Sequence, residues 1–122
     1  TGVGKALLAF APPGTLERYL SEASLAPKTE NSITTPERLR AELKRTRERG
    51  YAVDDQEDKP HIRCIAAPIL GTRGHALAAV SISVPDSRHT LRSLERWLPE
   101  LLERTHRTSM AMGFTGAVAE GG

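Results

Sequence analysis

Residues 62–84, IRCIAAPILGTRGHALAAVSISV, decide the fold. Two runs rich in isoleucine, valine and alanine are separated by GTRG, a short segment with a glycine at each end. This pattern predicts two neighbouring antiparallel strands joined by a tight turn. The first strand contains Cys64, the single cysteine of the chain. The hairpin therefore raises the question of what this thiol does.

The predicted turn sets the register of the hairpin. If Leu70 and His75 flank the turn, Cys64 lies opposite Ser81. Because side chains alternate across a strand, the thiol of Cys64 and the hydroxyls of Ser81 and Ser83 share one face. That face otherwise carries leucine and alanine, and buried polar groups need hydrogen-bond partners. A bound ligand, ordered water or a covering helix could supply them.

The clearest helix is TTPERLRAELKRTRERG, residues 34–50. Thr35 suits the N-cap, Pro36 suits the first helical position, and Gly50 suits the residue that ends the helix. The helix is rich in arginine and lysine, so it could contact DNA or present a solvated face. Acidic residues are interspersed among the cations, and this mixture favours the solvated face.

Shorter patterns complete the chain. GKALLAF and LERYLSEA predict two helices near the N-terminus, YAVDD (51–55) predicts a strand, and residues 89–112 predict a helix that Pro99 should kink. The combination predicts an α+β fold in which helices flank an antiparallel sheet. We expect one domain over residues 1–108 and a flexible tail over residues 109–122.

The composition is that of an ordinary globular domain. A chain of 122 residues with 39% hydrophobic and 26% charged residues suits one domain with a modest core. The net charge of +2 is too small to indicate nucleic-acid binding by itself. No apolar run approaches the roughly 20 residues of a membrane span. One cysteine cannot form an internal disulfide, so we expect a cytoplasmic setting without a membrane partner.

Cys64 could be a nucleophile, a metal ligand, a core residue or part of a pocket wall. His61 lies on the opposite face of the strand, and no nucleophile motif such as GxSxG occurs, which disfavours a Cys–His catalytic pair. Asp54, Cys64 and a distant histidine could meet at a metal ion, but the histidines are scattered and match no metal-binding spacing. We therefore expect no enzymatic activity, no metal and no cofactor, while the core and the pocket remain as alternatives.

The opening residues TGVGKA are similar to a phosphate-binding loop only in part. Ala6 stands where a serine or threonine would bind magnesium, and the upstream glycine is missing. Gly2 and Gly4 nevertheless lie at the N-terminus of a predicted helix, where free amides and the helix dipole attract an anion. A carboxylate could bind there.

Four segments occur in an order that resembles a known family. TGVGKALLAF, LRAELKRTRERGYAVDDQE, IRCIAAPI and AAVSISVPDSR are similar to the effector-binding domain of IclR-type (isocitrate lyase regulator) transcription factors. The resemblance covers residues 1 to about 105. It implies a GAF-like (profilin-like) domain that senses a small metabolite, here a small organic acid, and helps to assemble homodimers or tetramers.

The resemblance also implies how such a regulator contacts DNA. An N-terminal winged helix-turn-helix domain would bind DNA, and we expect that domain and the opening part of the sensing domain to be absent from this sequence. The alternative function is a purely structural oligomerisation module with a vestigial pocket.

The resemblance further implies an effector site. The positions that match the family's pocket use backbone amides near the N-terminus, one acidic side chain, and the thiol and hydroxyls of the hairpin. These effector-binding residues are Gly2, Val3, Asp54, Cys64, Ser81 and Ser83. His61 and Val84 depart from the family, which usually has glycine at both positions. His61 could reach the pocket mouth, but we favour a role in capping its loop.

Overall fold

A computed structural model describes residues 1–22 and 25–116 of the chain. The predicted α+β fold is confirmed: three strands form one sheet in the order β1-β2-β3, and both pairs are antiparallel. The elements are α1 (Gly2–Ala9), α2 (Thr15–Glu22), α3 (Pro36–Arg49), β1 (Ala52–Asp55), β2 (Ile62–Leu70), β3 (Ala76–Pro85), α4 (Leu91–Glu95) and α5 (Leu98–Ala111).

Strand β2 lies at the centre of the sheet and is packed on both faces. On one face, Ile65 of β2 and Val84 of β3 pack against Leu94 of α4 and Leu101 of α5. All four side chains are buried, so this layer forms a hydrophobic core. Val84, which departs from the family pattern, therefore belongs to this core rather than to the opposite face of the sheet.

Helix α1 covers the other face of the sheet. Ala6 packs with Ala52 of β1 and Ala66 of β2, and all three residues are fully buried. Since their side chains are small, the helix backbone can approach the strands closely. The N-terminal turn of α1 consequently lies against β2, which positions the site described below.

Helix α3 begins and ends as the sequence predicts. The Thr35 hydroxyl accepts a hydrogen bond from the Arg38 N–H (3.3 Å), and Gly50 ends the helix with a φ of 90°. Leu39 and Leu43 are buried in a second apolar cluster at the C-terminal end of α1. The prediction for this helix is confirmed. It could be made from the sequence because both caps and the buried stripe are local features.

The register of the β2–β3 hairpin differs from the prediction. Cys64 lies opposite Ser83, whereas we expected it opposite Ser81. The first cause is the turn, which is one residue longer than expected because Leu70 pairs with Ala76. A shift of this size alone would turn every side chain of β3 to the other face.

A β-bulge adds a second shift of one residue. Leu70 pairs with Ala76 while Ile69 pairs with Ala78, so Leu77 is an extra residue without a partner on β2. The two shifts together displace the pairing by two residues, and a displacement of two keeps each side chain on its predicted face. The prediction that the thiol and both hydroxyls share a face is confirmed, although their predicted pairing is wrong.

The C-terminal segment forms two helices rather than one kinked helix. Pro99 lies in the first turn of α5, where its missing N–H breaks no hydrogen bond. A proline at this position favours the start of a new helix, and α4 has already ended at Glu95. The prediction of a single kinked helix is therefore wrong.

Helix α5 continues to Ala111, so the boundary placed after residue 108 falls inside this helix. Phe114 also packs against the apolar cluster at the end of α1. The remainder of the predicted tail, residues 117–122, lies outside the described residues. Within the described ranges, no helix combines the length and the apolar character that crossing a bilayer requires.

His61 adopts a left-handed backbone conformation with a φ of 67°. Its side chain is 80% exposed, and its Nδ1 lies 3.2 Å from Oδ2 of Asp86. Its backbone N–H donates to the side-chain oxygen of Gln56 (3.2 Å). These contacts fit the loop-capping interpretation. The left-handed conformation gives a physical reason for a glycine at this position, because glycine adopts positive φ without a Cβ clash.

Replacing His61 with glycine should leave the free energy of unfolding unchanged or raise it by up to about 1 kcal/mol. The variant loses the exposed contact between His61 and Asp86, but such a contact contributes little to the free energy of unfolding. Urea denaturation measures the change. Gly50→Ala is the matched control at another left-handed position, with a φ of 90°, and it should destabilise the protein by about 1 kcal/mol. A loss above about 1 kcal/mol in His61→Gly would contradict the assignment of strain to this residue.

Candidate functional site

A cavity of about 330 Å³ lies between the N-terminal turn of α1 and the sheet. Its size is at the lower end of the range for small-molecule sites. All six residues that we predicted for the effector site line it: Gly2, Val3, Asp54, Cys64, Ser81 and Ser83. Four lining residues were not in that set: Thr1, Asp58, Lys59 and Ile62.

The first turn of α1 forms one wall of the cavity. Thr1 caps the helix by accepting a hydrogen bond from the Gly4 N–H (2.9 Å). Helix geometry leaves the N–H groups of Gly2 and Val3 without an intrahelical acceptor. Both residues line the cavity, so their amides and the positive end of the helix dipole favour an anion at this wall.

Gly2 is required by the closeness of α1 to β2. A Cβ atom added at Gly2 would lie 2.5 Å from the Sγ of Cys64, well inside van der Waals contact. The same Cβ would lie 3.5 Å from the Cβ of Ala66, which is an ordinary contact. The sulfur is therefore the atom that excludes a side chain at this position.

Asp54 forms the acidic wall. It is 6% exposed, and it pairs directly with Cys64 across the β1–β2 ladder. Its Oδ1 accepts a hydrogen bond from the Glu57 N–H (2.8 Å). The amide belongs to the loop that follows β1, so this hydrogen bond fixes the orientation of the carboxylate relative to that loop.

The Cys64 thiol is suited to a neutral pocket wall. Burial raises its pKa, and the negative charge of Asp54 raises it further, while the hydroxyls of Ser83 and Ser81 act in the opposite direction. A raised pKa keeps the thiol protonated near neutral pH, whereas nucleophiles and metal ligands need the thiolate. In the part of the chain that the structure describes, no three histidine, cysteine, aspartate or glutamate side chains meet as a metal site.

Ser81 and Ser83 form the open side of the cavity. Both are exposed, and β3 lies at an edge of the sheet. We expected buried hydroxyls that need hydrogen-bond partners, and this expectation is wrong for β3. Water can satisfy these hydroxyls, and a ligand that enters the cavity can replace it.

Sequence reasoning missed Lys5. This residue is only 4% exposed, and its ammonium group contacts the Val53 carbonyl oxygen and the Glu57 carboxylate (2.8 Å). A signal for it exists in the sequence: Gly2, Lys5 and Ala6 fall on one stripe of α1 at helical spacing. A cation on the buried stripe of a helix predicts an acidic partner elsewhere in the fold.

Comparisons with known proteins agree on one family. The family model described as bacterial transcriptional regulator IclR C-terminal matches residues 1–110. The HTH-type transcriptional regulator BhcR of Paracoccus denitrificans is 40% identical over 112 residues, which are 92% of this chain and 40% of that protein. The chain spans about two fifths of the length of the curated relatives that it matches.

Solved structures show the same likeness. The crystal structure of the Thermotoga maritima IclR superposes with a TM-score of 0.87 at 39% identity, over 93% of this chain and 46% of that one. The C-terminal domain of the Escherichia coli regulator KdgR gives a TM-score of 0.84 at 32% identity, over 93% of this chain and 70% of that one. These likenesses confirm the predicted GAF-like fold.

Gly2→Ala should lower the free energy of unfolding by about 1–3 kcal/mol, as overpacking does in other tight cores. Cys64→Ala removes the sulfur that the new Cβ would meet. The double variant Gly2→Ala/Cys64→Ala should therefore lose less stability than the sum of the two single losses. A double-mutant cycle from urea denaturation measures this coupling. Strictly additive losses would contradict the close contact.

Two substitutions should move the pKa of the Cys64 thiol in opposite directions. Asp54→Asn removes a negative charge that disfavours the thiolate, so the pKa should fall. Ser83→Ala removes a hydroxyl that favours the thiolate, so the pKa should rise. The Cβ chemical shift of ¹³C-labelled cysteine, followed against pH, reports this single thiol. Shifts of the same sign in both variants would contradict the arrangement of the wall.

Proposed function

Since the chain belongs to the IclR family of bacterial transcriptional regulators, as the C-terminal domain of such a regulator, we propose that it senses a small organic acid. The observation that carries the proposal is that an anion-attracting helix end and a buried carboxylate line the same cavity. The six predicted residues would then be the effector-binding residues.

The helix end would bind the carboxylate of the effector. The amides of Gly2 and Val3 are free of intrahelical acceptors, and hydrogen bonds to a charged acceptor are stronger than neutral ones. Lys59 lies at the rim of the same cavity and supplies a positive charge there. An acid group at the helix end would thus meet two donors and a cation, while Lys28 pairs with Asp58, the second acid of the lining (2.9 Å).

The opposite end of the effector would carry a group that can face Asp54. A second carboxylate would be a poor neighbour for this buried acid, because like charges repel strongly where water is scarce. A hydroxyl, a hydrated oxo group or an amine can donate to it. Val3 and Ile62 supply apolar wall, so the carbon skeleton of a short acid would contact them.

The proposed mechanism is a population shift in the intact regulator. The effector would bind one quaternary arrangement of a homodimer or tetramer better than another, and a coupling of about 1–3 kcal/mol would suffice to change operator binding by a winged helix-turn-helix domain. No catalysis is proposed: the relatives reported above are transcriptional regulators, and the pKa of Cys64 is raised. The cytoplasmic setting stays a prediction.

Thermal and chemical unfolding with a matched set of three-carbon acids tests the proposal. Propionate, lactate, pyruvate and alanine share a carboxylate and differ at the second carbon, while malonate adds a second carboxylate. We expect lactate, pyruvate or alanine to stabilise the domain more than propionate or malonate. A ligand at 100 times its Kd adds about 2.7 kcal/mol to the free energy of unfolding. No stabilisation by these or larger carboxylates would favour the structural oligomerisation module.

Ser81→Leu should abolish the stabilisation by the acids while leaving the unliganded fold nearly unchanged. The new side chain would fill the cavity mouth, and Ser81 is exposed, so no core packing is lost. Ala78→Leu is the matched control, because Ala78 is also exposed on β3 but lies on the opposite face. Retained affinity in Ser81→Leu would place the binding site elsewhere.

A further inference from the structure

We propose that Lys5 is a positioning residue, which fixes the first turn of α1 relative to Asp54 in the effector cavity. This inference rests on the proposed function, because it concerns the same cavity. It differs from that function in naming a residue that does not line the cavity and acts through others.

The Lys5 ammonium is buried and bound on several sides. It donates to the Val53 carbonyl oxygen, lies 2.8 Å from Oε1 of Glu57, and lies 3.8 Å from Oε1 of Glu42. Lys5 is only 4% exposed. A buried ammonium is tolerated only where such partners compensate its lost hydration. The group is therefore locked in place by charge as well as by packing.

Lys5 belongs to the same end of α1 as the amides that would bind the carboxylate of the effector. It lies one helical turn after Gly2, on the same buried stripe of α1. A helical turn is rigid, because its backbone hydrogen bonds fix the dihedral angles. Any contact that fixes Lys5 against the sheet also fixes the amides of Gly2 and Val3.

Glu57 connects Lys5 to the acidic wall. Its carboxylate binds Lys5, while its backbone N–H donates to Oδ1 of Asp54 (2.8 Å). One residue therefore contacts both the α1 helix and the side chain that faces the cavity. The Lys5–Glu57 pair therefore links the helix end that attracts an anion to the Asp54 carboxylate.

Other contacts of the segment that follows β1 join it to a part of the chain other than α1. The hydroxyl of Ser32 donates to the Glu57 carbonyl oxygen (2.6 Å), the Asn31 amide donates to the Asp55 carbonyl oxygen (2.8 Å), and Lys28 pairs with Asp58 (2.9 Å). All three attach the loop to the segment before α3. Lys5 attaches it to α1, and so its role is distinct from theirs.

Glu42 of α3 makes the removal of Lys5 alone uninformative. Burial acts to raise the pKa of Glu42, but the hydrogen bond from Arg45 and the charges of Lys5 and Arg49 outweigh it, and the pKa lies below its usual range. Glu42 is therefore ionised beside Lys5. Loss of the ammonium alone would leave two carboxylates near each other without their shared cation. Their mutual repulsion would destabilise the fold whether or not Lys5 positions the site.

The test removes both charges of the pair at once. Lys5→Met/Glu57→Gln keeps the size of both side chains and leaves no orphan charge between them. The readout is the pKa of Cys64, followed through its ¹³C-labelled Cβ without any ligand, with Asp54→Asn as the reference. We expect the pKa of Cys64 in the double variant to fall toward the reference value, because the Glu57 amide would no longer hold the Asp54 carboxylate in its orientation near the thiol.

A matched control lies on the same strands and the opposite face. Arg63 pairs with Asp55 at 2.9 Å across β1 and β2. Arg63→Met/Asp55→Asn removes an ion pair of the same kind and should lower stability without moving the pKa of Cys64. If Lys5→Met/Glu57→Gln also loses stability but keeps the wild-type pKa of Cys64, Lys5 is only structural and the inference is overturned.

A second variant covers the case in which the double variant does not fold. Glu57→Asp keeps the negative charge but shortens the side chain by one methylene, which withdraws its carboxylate from Lys5 while Glu42 still compensates the ammonium. The pKa of Cys64 should fall in this variant too. A wild-type value in Glu57→Asp would overturn the inference.

Binding separates this inference from the proposed function. Lactate titrated into Lys5→Met/Glu57→Gln should bind with a Kd raised on the order of tenfold, the loss expected when a hydrogen-bonding wall is no longer held in place. Absence of lactate and pyruvate binding to the wild-type chain would count against the proposed function, while the thiol titration would still decide the role of Lys5. Unchanged lactate affinity in the double variant would count against Lys5 alone.

Discussion

The contact between the first turn of α1 and strand β2 is the constraint on which the rest of the site depends. Gly2 lies so close to Cys64 that no side chain fits between them. This closeness brings the free amides of the helix end to the same cavity as a buried carboxylate on β1. A Cβ at this position would collide with the sulfur of Cys64, so any other residue would prevent the helix from lying this close to the strand.

The same helix turn carries a buried charge, and one of its partners also contacts Asp54. The Lys5 ammonium needs anionic partners because burial deprives it of water. It finds them in Glu57 and Glu42, one on the loop after β1 and one on α3. The loop that Glu57 belongs to orients Asp54 by a backbone hydrogen bond. On the proposal made for Lys5, electrostatic compensation in the interior would hold the Asp54 side chain in place at the cavity.

The hairpin shows how a correct face can follow from an incorrect register. The alternation of apolar and polar residues in β2 and β3 is a local property, and it assigned the thiol and both hydroxyls to one side. The pairing itself depends on the turn length and on the bulged Leu77, whose side chain packs over Gly71. The two shifts of one residue add to a displacement of two, which keeps the predicted face because side chains alternate with a period of two.

The sequence by itself determined the ends of α3, the strand alternation, the family and six of the ten residues that line the cavity, because these depend on neighbours a few positions apart or on ordered motifs. Only the tertiary structure decided the bulge, the separation of α4 from α5, the exposure of the β3 hydroxyls and the partners of Lys5. Those features arise where segments distant in the chain meet. A cation on the buried stripe of a helix predicts an acidic partner, but only the tertiary structure shows which acid contacts it.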